Sequence, residues 1–311
     1  MASATQDYYY GKGGDSNANG LTWATRWGSA NSPDSTDNAL GEFLAGTIGP
    51  GLGPGTRLLI GEGNYVLTVV RLGYNGWLTL SGGIIQGASL GANITIAQGI
   101  ELTASNVAYT LRNLTLSNNN GFTVFGSNAL LDVENVCLTS GIDVLIGEDG
   151  ATGNTFLFRK SRITGLWDVA AQLEASRVEF DECQIDIGPA PEAVTGYSHF
   201  GTEIGDGGTL VLRKTRWFSA QSVSGLSSPI SLIVVDSGGK LILDHSELYY
   251  QNASPGYDVL VSPGGVCVDI GSAYNYANVS GTITPVPPAA SPGVFSVVPP
   301  QSIVRPYEPD N

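Results

Sequence analysis

One eight-residue phrase returns eight times along this chain, at spacings of 20 to 32 residues: apolar, any, apolar, two turn-type residues, a small or apolar residue, any, apolar. Six central copies carry it without adjustment. Tyr109, Leu111, Leu114 and Leu116 surround Arg112 and Asn113; Leu131, Val133, Val136 and Leu138 surround Glu134 and Asn135. Phe156, Phe158, Ser161 and Ile163 flank Arg159 and Lys160, and Val178, Phe180, Cys183 and Ile185 flank Asp181 and Glu182. Leu210, Leu212, Thr215 and Trp217 flank Arg213 and Lys214, and Leu241, Leu243, Ser246 and Leu248 flank Asp244 and His245. Two looser copies precede them, one from Leu58 with Ile60 and Tyr65, the other from Leu78 with Leu80, Gly83 and Ile85.

Period-2 alternation makes a strand with one buried face, and the two-residue interruption is where such a strand bends before alternation resumes. A single corner of this kind cannot bury its apolar side, whereas stacked copies share one continuous core. The period suits one coil of a parallel β-helix. Leucine-rich repeats would need a regular L-x-x-L-x-L run and an Asn ladder, and a β-sandwich gives no reason for one phrase to recur. The expected fold is therefore all-β, a right-handed parallel β-helix with a short N-terminal capping helix and an extended Pro-rich C-terminal arm.

Composition fits that architecture. The 42 glycines and only 14% charged residues suit many tight corners, and 42% hydrophobic residues suffice for a core. A net charge of −14 opposes binding to nucleic acid or anionic membranes. No apolar run reaches the ~18 residues of a membrane span. Residues Met1 to Asp7 have neither a positive n-region nor an apolar h-region, so a cytoplasmic origin is expected. Cys137, Cys183 and Cys267 are odd in number and read as free thiols, Cys183 in an inward slot.

Three regions are expected. Residues 1–56 form an N-terminal capping region with a strand at Tyr8–Tyr10, a Gly/Asn/Asp loop, and a helix from about Asp37 to Ala45 presenting Leu40, Phe43 and Leu44. Such a helix would cover the open strand edges of the first coil. Residues 57–283 form the β-helix. Residues 284–311 carry eight prolines interleaved with Val294, Phe295, Val297, Val298, Ile303, Val304 and Tyr307, and read as an extended arm lying along the coil or on a neighbour. Val294, Phe295, Val298, Ile303 and Tyr307 are its candidate interface residues.

The order Tyr9-Tyr10, Gly14-Asp15, Gly20, Trp23-Ala24, Ala39-Leu40, Gly55-Thr56 and Gly61-Glu62-Gly63-Asn64-Tyr65 resembles the opening of pectin-lyase-like right-handed β-helix proteins. That superfamily includes polysaccharide lyases and hydrolases, bacteriophage tailspikes and phage capsid-decoration proteins. The resemblance spans the N-terminal region and the repeats, and it speaks to fold far more than to activity.

The first turn residue of the six central copies runs Arg112, Glu134, Arg159, Asp181, Arg213, Asp244, alternating in sign throughout. Stacked strands lie about 4.8 Å apart, so each charge would have opposite neighbours above and below. This ladder would set register more than stability, because exposed pairs contribute only ~0.2–1 kcal/mol each.

Catalytic candidates are weaker. Lyases of this fold family use an Arg or Lys base beside calcium-holding carboxylates, but most repeat cations already stand in the turn column. Hydrolases need two carboxylates about 5–9 Å apart. Glu174, Glu179, Asp181, Glu182, Asp186 and Glu203 cluster near adjacent coils, and Glu174, Asp181 and Glu203 are the set an enzyme would use. His245 reads as a solvated turn residue. His199 lies in a long insertion, Gly188 to Gly208, that also holds Tyr197 and Phe200. The Asp15–Gly20 run starts like a calcium loop but has Arg26 where the bidentate Glu belongs. No cofactor is expected.

Taken with the resemblance, these features point to a non-enzymatic bacteriophage structural protein of the virion, assembled in the host cytoplasm. A capsid-decoration (cement) protein is the leading form. Its partners would be the major capsid protein or another virion protein and further copies of itself, commonly as a homotrimer, with surface carbohydrate as a possible contact. The alternative is a carbohydrate-active β-helix enzyme, a tailspike glycanase or polysaccharide lyase.

Overall fold

The structure is a computed structural model and describes residues 6–11, 14, 19–28, 40, 44, 51–67, 77–118, 120–140, 145–147, 151–165, 170–173, 175–187, 199–221, 231–252, 257–274, 276–277 and 282–285. One coil shows how the chain is wound. Thr155–Arg159 forms a strand of what is here called face A, the chain bends at Lys160 and Ser161, and Arg162–Gly165 continues on face B. Ala170–Leu173 forms face C. The next coil begins with Arg177–Asp181, which pairs in register with Thr155–Arg159. Faces A and B belong to a 17-stranded sheet and face C is a nine-stranded sheet, with parallel pairing throughout the described residues.

The core is a set of files running through the stack. Leu111 pairs with Val133, Val133 with Phe158, Phe158 with Phe180, Phe180 with Leu212 and Leu212 with Leu243. All six are buried and belong to one contiguous core. On face B, Leu116, Leu138, Ile163, Ile185, Trp217 and Leu248 form a second inward file. The files hold one aromatic run: Phe158 stacks on Phe180 at 4.8 Å, and Trp217 meets Phe180 edge-on at 6.4 Å.

The two-residue interruption is a left-handed bend. Its second residue, Asn113, Asn135, Lys160, Glu182, Lys214 or His245, has φ between 44° and 54° in every central copy. Asn tolerates this conformation, whereas other side chains are strained in it. The face C to face A corner is a second left-handed column, formed by Asn106, Asn128, Gly153, Ala175, Gly207, Gly238 and Gly264. Ala175 is the exception there, exposed and at φ 44°. Ala175→Gly is expected to raise stability by about 0.5–1 kcal/mol, because relief of the left-handed strain exceeds the added freedom of the unfolded chain. Urea titration of the two proteins reads this directly, and a variant less stable than the parent would contradict it.

Beside the first bend, inward hydroxyls complete the hydrogen bonding. Val136 N–H donates to Ser161 Oγ at 3.1 Å, Cys183 N–H to Thr215 Oγ1 at 3.3 Å, Thr215 N–H to Ser246 Oγ at 3.1 Å and Ser246 N–H to Ser272 Oγ at 3.0 Å. The bend interrupts the backbone ladder, so these amides find side-chain oxygens of the next coil instead.

Several sequence expectations shift. Leu78–Leu80 lies on face C and pairs with Ile100–Leu102, so the copy drawn from Leu78 is out of phase. The face A strand of that coil is Gly83–Gly87, with Ile85 opposite Leu58 on one side and Leu111 on the other. The stack also starts earlier and ends later than 57–283. Gln6–Tyr10 pairs with Thr56–Ile60, and Thr282–Pro285 pairs with Val266–Asp269. Pro285 is tolerated because its strand lies at the sheet edge. Leu40 and Leu44 are helical and join the core, while the rest of the expected capping helix and residues 286–311 lie outside the described residues.

Candidate functional site

The six turn-column residues occupy successive paired positions: Arg112 with Glu134, Glu134 with Arg159, Arg159 with Asp181, Asp181 with Arg213 and Arg213 with Asp244. Three ion pairs run along it, Arg112–Glu134 at 3.5 Å, Arg159–Glu134 at 3.7 Å and Arg213–Asp244 at 3.6 Å. Asp181 makes none among the described residues, because the guanidiniums on either side of it turn to two other carboxylates.

Those two carboxylates stand mid-strand on face A and carry the shorter bonds. Asp132 is held between Arg159, at 2.5 Å, and Arg112, at 3.4 Å, and so ties three coils together. Glu179 accepts from Arg177 at 2.7 Å and from Arg213. Their side chains are 9% and 15% exposed, against 38% for Glu134. A pair with less water around it is screened less, so the arginines favour the more sheltered partner. Sequence reasoning missed Asp132 because it fills an unconstrained slot between two apolar ones, level with Thr110 and Leu157 in the neighbouring coils.

The expected acidic cluster is dispersed. Glu174 lies outside the described residues. Asp181 stands at the corner between faces A and B, while Glu203 is on face C opposite Val234, between the buried Thr202 and Ile204. These two carboxylates therefore point outward from different faces and do not converge. The others are engaged structurally: Glu182 lies 3.6 Å from Lys214, and Asp186 lies 3.5 Å from Arg162 on face B. His245 is exposed and shares a 2.6 Å contact with Asp244. His199 opens the face C strand His199–Ile204, and Tyr197 lies outside the described residues. No group of three or more His, Cys, Asp or Glu side chains converges among the described residues, and no helix there is long and apolar enough to cross a membrane.

All three cysteines are free. Burial pushes the Cys183 thiol from 9.0 up to about 11, and burial together with the charge of Asp269 pushes Cys267 up to about 12. Both stay protonated when folded, whereas the unfolded chain releases these protons near 9.0. Above pH 9 the unfolded state thus binds fewer protons, and stability is expected to fall as pH rises from about 9 toward 11. At pH 8, iodoacetamide is expected to label Cys137 in the folded protein and the other two only after denaturation. Native labelling of Cys183 would contradict the sealed core.

One outward feature is chemically distinctive. Phe218 and Tyr249 stack in parallel on face B at 5.4 Å and 8°, with Asp186 the next residue of that file. A flat aromatic pair beside a carboxylate suits contact with a sugar ring; it offers no paired acid and base. No family model, no curated protein and no solved structure matches the chain.

Proposed function

We propose that the chain is a non-enzymatic structural protein of a bacteriophage virion, a capsid-decoration (cement) protein that stabilises the shell through oligomeric contacts. The proposed architecture is a right-handed β-helix of the pectin-lyase-like kind, since parallel crossovers in one sheet are right-handed almost without exception. Its first coil is covered by a short helix containing Leu40 and Leu44, and a Pro-rich arm follows its last coil. One observation carries the reading most: the repeat charges are spent holding coil to coil, as in the clamp of Arg112 and Arg159 on Asp132. Such a surface resists shear along the stack and leaves little for chemistry. The acidic body complements basic patches on a capsid lattice. The arm residues Val294, Phe295, Val298, Ile303 and Tyr307 supply apolar contact.

A glycan-directed role draws support from the Phe218–Tyr249 pair. The two readings separate cleanly. The purified full chain, incubated with bacterial surface polysaccharides, is expected to release no reducing or unsaturated ends. Light scattering is expected to give an oligomer, most simply a trimer, that cosediments with phage capsids. Released sugar ends would establish the enzyme, and a monomer indifferent to capsids would remove the decoration role.

A further inference from the structure

One outward file of face B changes height partway along the stack. Thr139, Thr164, Asp186, Phe218 and Tyr249 are successive register partners in it. Asp186 lies between the buried Ile185 and Ile187, and Phe218 between the buried Trp217 and Ser219, so strand alternation turns both outward. Three short side chains are thus followed by two aromatic rings. Phe218 and Tyr249 are parallel within 8° with centroids 5.4 Å apart, too close for rings lying edge to edge, so they overlap face on face. Each gives one face to the other. The remaining face of Phe218 looks along the stack toward the Asp186 coil, about 4.8 Å away. There the side chain ends at a carboxylate, while the ring of Phe218 continues beyond that height.

The carboxylate beside that face is oriented and only half used. Gln184 Nε2 donates to Asp186 Oδ2 at 2.9 Å, and a guanidinium nitrogen of Arg162 lies 3.5 Å from the same oxygen. Oδ1 accepts no hydrogen bond among the described residues, and the side chain is 28% exposed. The step therefore offers a flat apolar face and, beside it, a charged acceptor held in place. A pyranose ring matches both: its polarised C–H groups lie against the negative face of an aromatic ring, and its hydroxyls donate to the carboxylate. Charge narrows the class. A uronate would bring a second anion to Asp186 on a chain of net charge −14. The two guanidiniums nearby already face carboxylates, Arg162 that of Asp186 and Arg216 that of Glu247 at 3.7 Å.

We propose that the step between Asp186 and Phe218 on face B binds a neutral hexopyranose, with one sugar face stacked on Phe218 and adjacent hydroxyls donating to Asp186 Oδ1. Tyr249 backs the platform, and Gln184 and Arg162 position the carboxylate. The file neighbours of Asp186 are Thr164 and Phe218, so the step holds a sugar without the paired carboxylates that cleavage needs. This deepens the glycan contact assigned above to the Phe218–Tyr249 pair and rests on that reading.

The test is saturation-transfer NMR on the full-length chain, with the methyl glycosides of glucose, galactose and mannose as probes. At least one is expected to bind with a dissociation constant of about 1–10 mM, and the uronic acid glycoside of the same configuration at least about threefold more weakly. Phe218→Ala is expected to weaken binding at least about tenfold and Asp186→Ala at least about threefold. Trp23→Ala removes an exposed aromatic of the N-terminal region and is expected to leave binding unchanged. If Phe218→Ala does not fold, Phe218→Leu replaces it, keeping apolar bulk without the aromatic face, with the same expected loss. Absence of binding by all three neutral glycosides overturns the proposal. So does parental affinity in the Phe218 or Asp186 variant, equal affinity for the uronic acid glycoside, or a loss confined to Trp23→Ala. Sugar binding is read on the isolated chain, so its absence leaves the capsid role standing. A failure to bind capsids, or released sugar ends, would sink the structural role and leave this site untouched.

Discussion

Phe180→Ala is expected to destabilise the protein by about 3–5 kcal/mol, among the largest losses for a single truncation in the stack. The ring is 0% exposed, stacked on Phe158 at 4.8 Å and met edge-on by Trp217 at 6.4 Å. Its removal opens a hole that the coils cannot close, because their spacing is set by the backbone ladder linking Phe158 to Phe180 and Phe180 to Leu212. The loss should also be local at first. In a stacked array each coil contacts its neighbours alone, so weakening one interface uncouples the two halves. Urea unfolding followed by tryptophan fluorescence, which senses Trp217, is expected to move to lower denaturant and to broaden. Leu157→Ala, half-buried on the outer side of the same sheet, serves as the control and should cost about 1 kcal/mol. A Phe180→Ala loss no larger than that control would mean the core is not a stacked pillar.

What the sequence made legible follows from which interactions leave a periodic trace. The inward files did, because Leu111, Val133, Phe158, Phe180, Leu212 and Leu243 repeat at one slot and a parallel register has to align them. The copy at Leu78 slipped because the first coils lack the bend pair: Gly83 and Gly87 stand at slots where later copies have side chains, so apolar alternation alone chose the wrong face. The Asp132 and Glu179 clamps left no trace, since a mid-strand outward slot accepts almost any residue and the choice of an arginine between two carboxylates depends on local exposure. The dispersal of the acidic cluster was equally hidden, because Asp181 and Glu203, within one coil of each other in sequence, end on different faces once the chain has turned two corners.

The slot after the bend hid the most consequential chemistry. Leu114 and Val136 occupy it in two copies, which makes Ser161, Cys183, Thr215 and Ser246 look merely small, yet three of these supply the oxygen that a neighbouring coil's amide needs. Thr215 is the clearest case. It is 1% exposed, its Oγ1 accepts from Cys183 N–H at 3.3 Å, and its own proton has the carbonyls of Arg213 at 2.9 Å and Phe180 at 3.1 Å as acceptors. Valine has the same shape without the oxygen, so Thr215→Val leaves the Cys183 amide buried without an acceptor and is expected to cost about 2–3 kcal/mol. Thr215→Ser keeps every bond and removes one methyl, for about 1 kcal/mol. The order is thus inverted from what hydrophobicity predicts: the more apolar variant should be the less stable one. Hydrogen exchange adds a local reading, with the Cys183 amide expected to exchange faster in Thr215→Val and near the parental rate in Thr215→Ser. Were Thr215→Val as stable as Thr215→Ser, the amide would have found another acceptor, and the hydroxyl column would be packing alone.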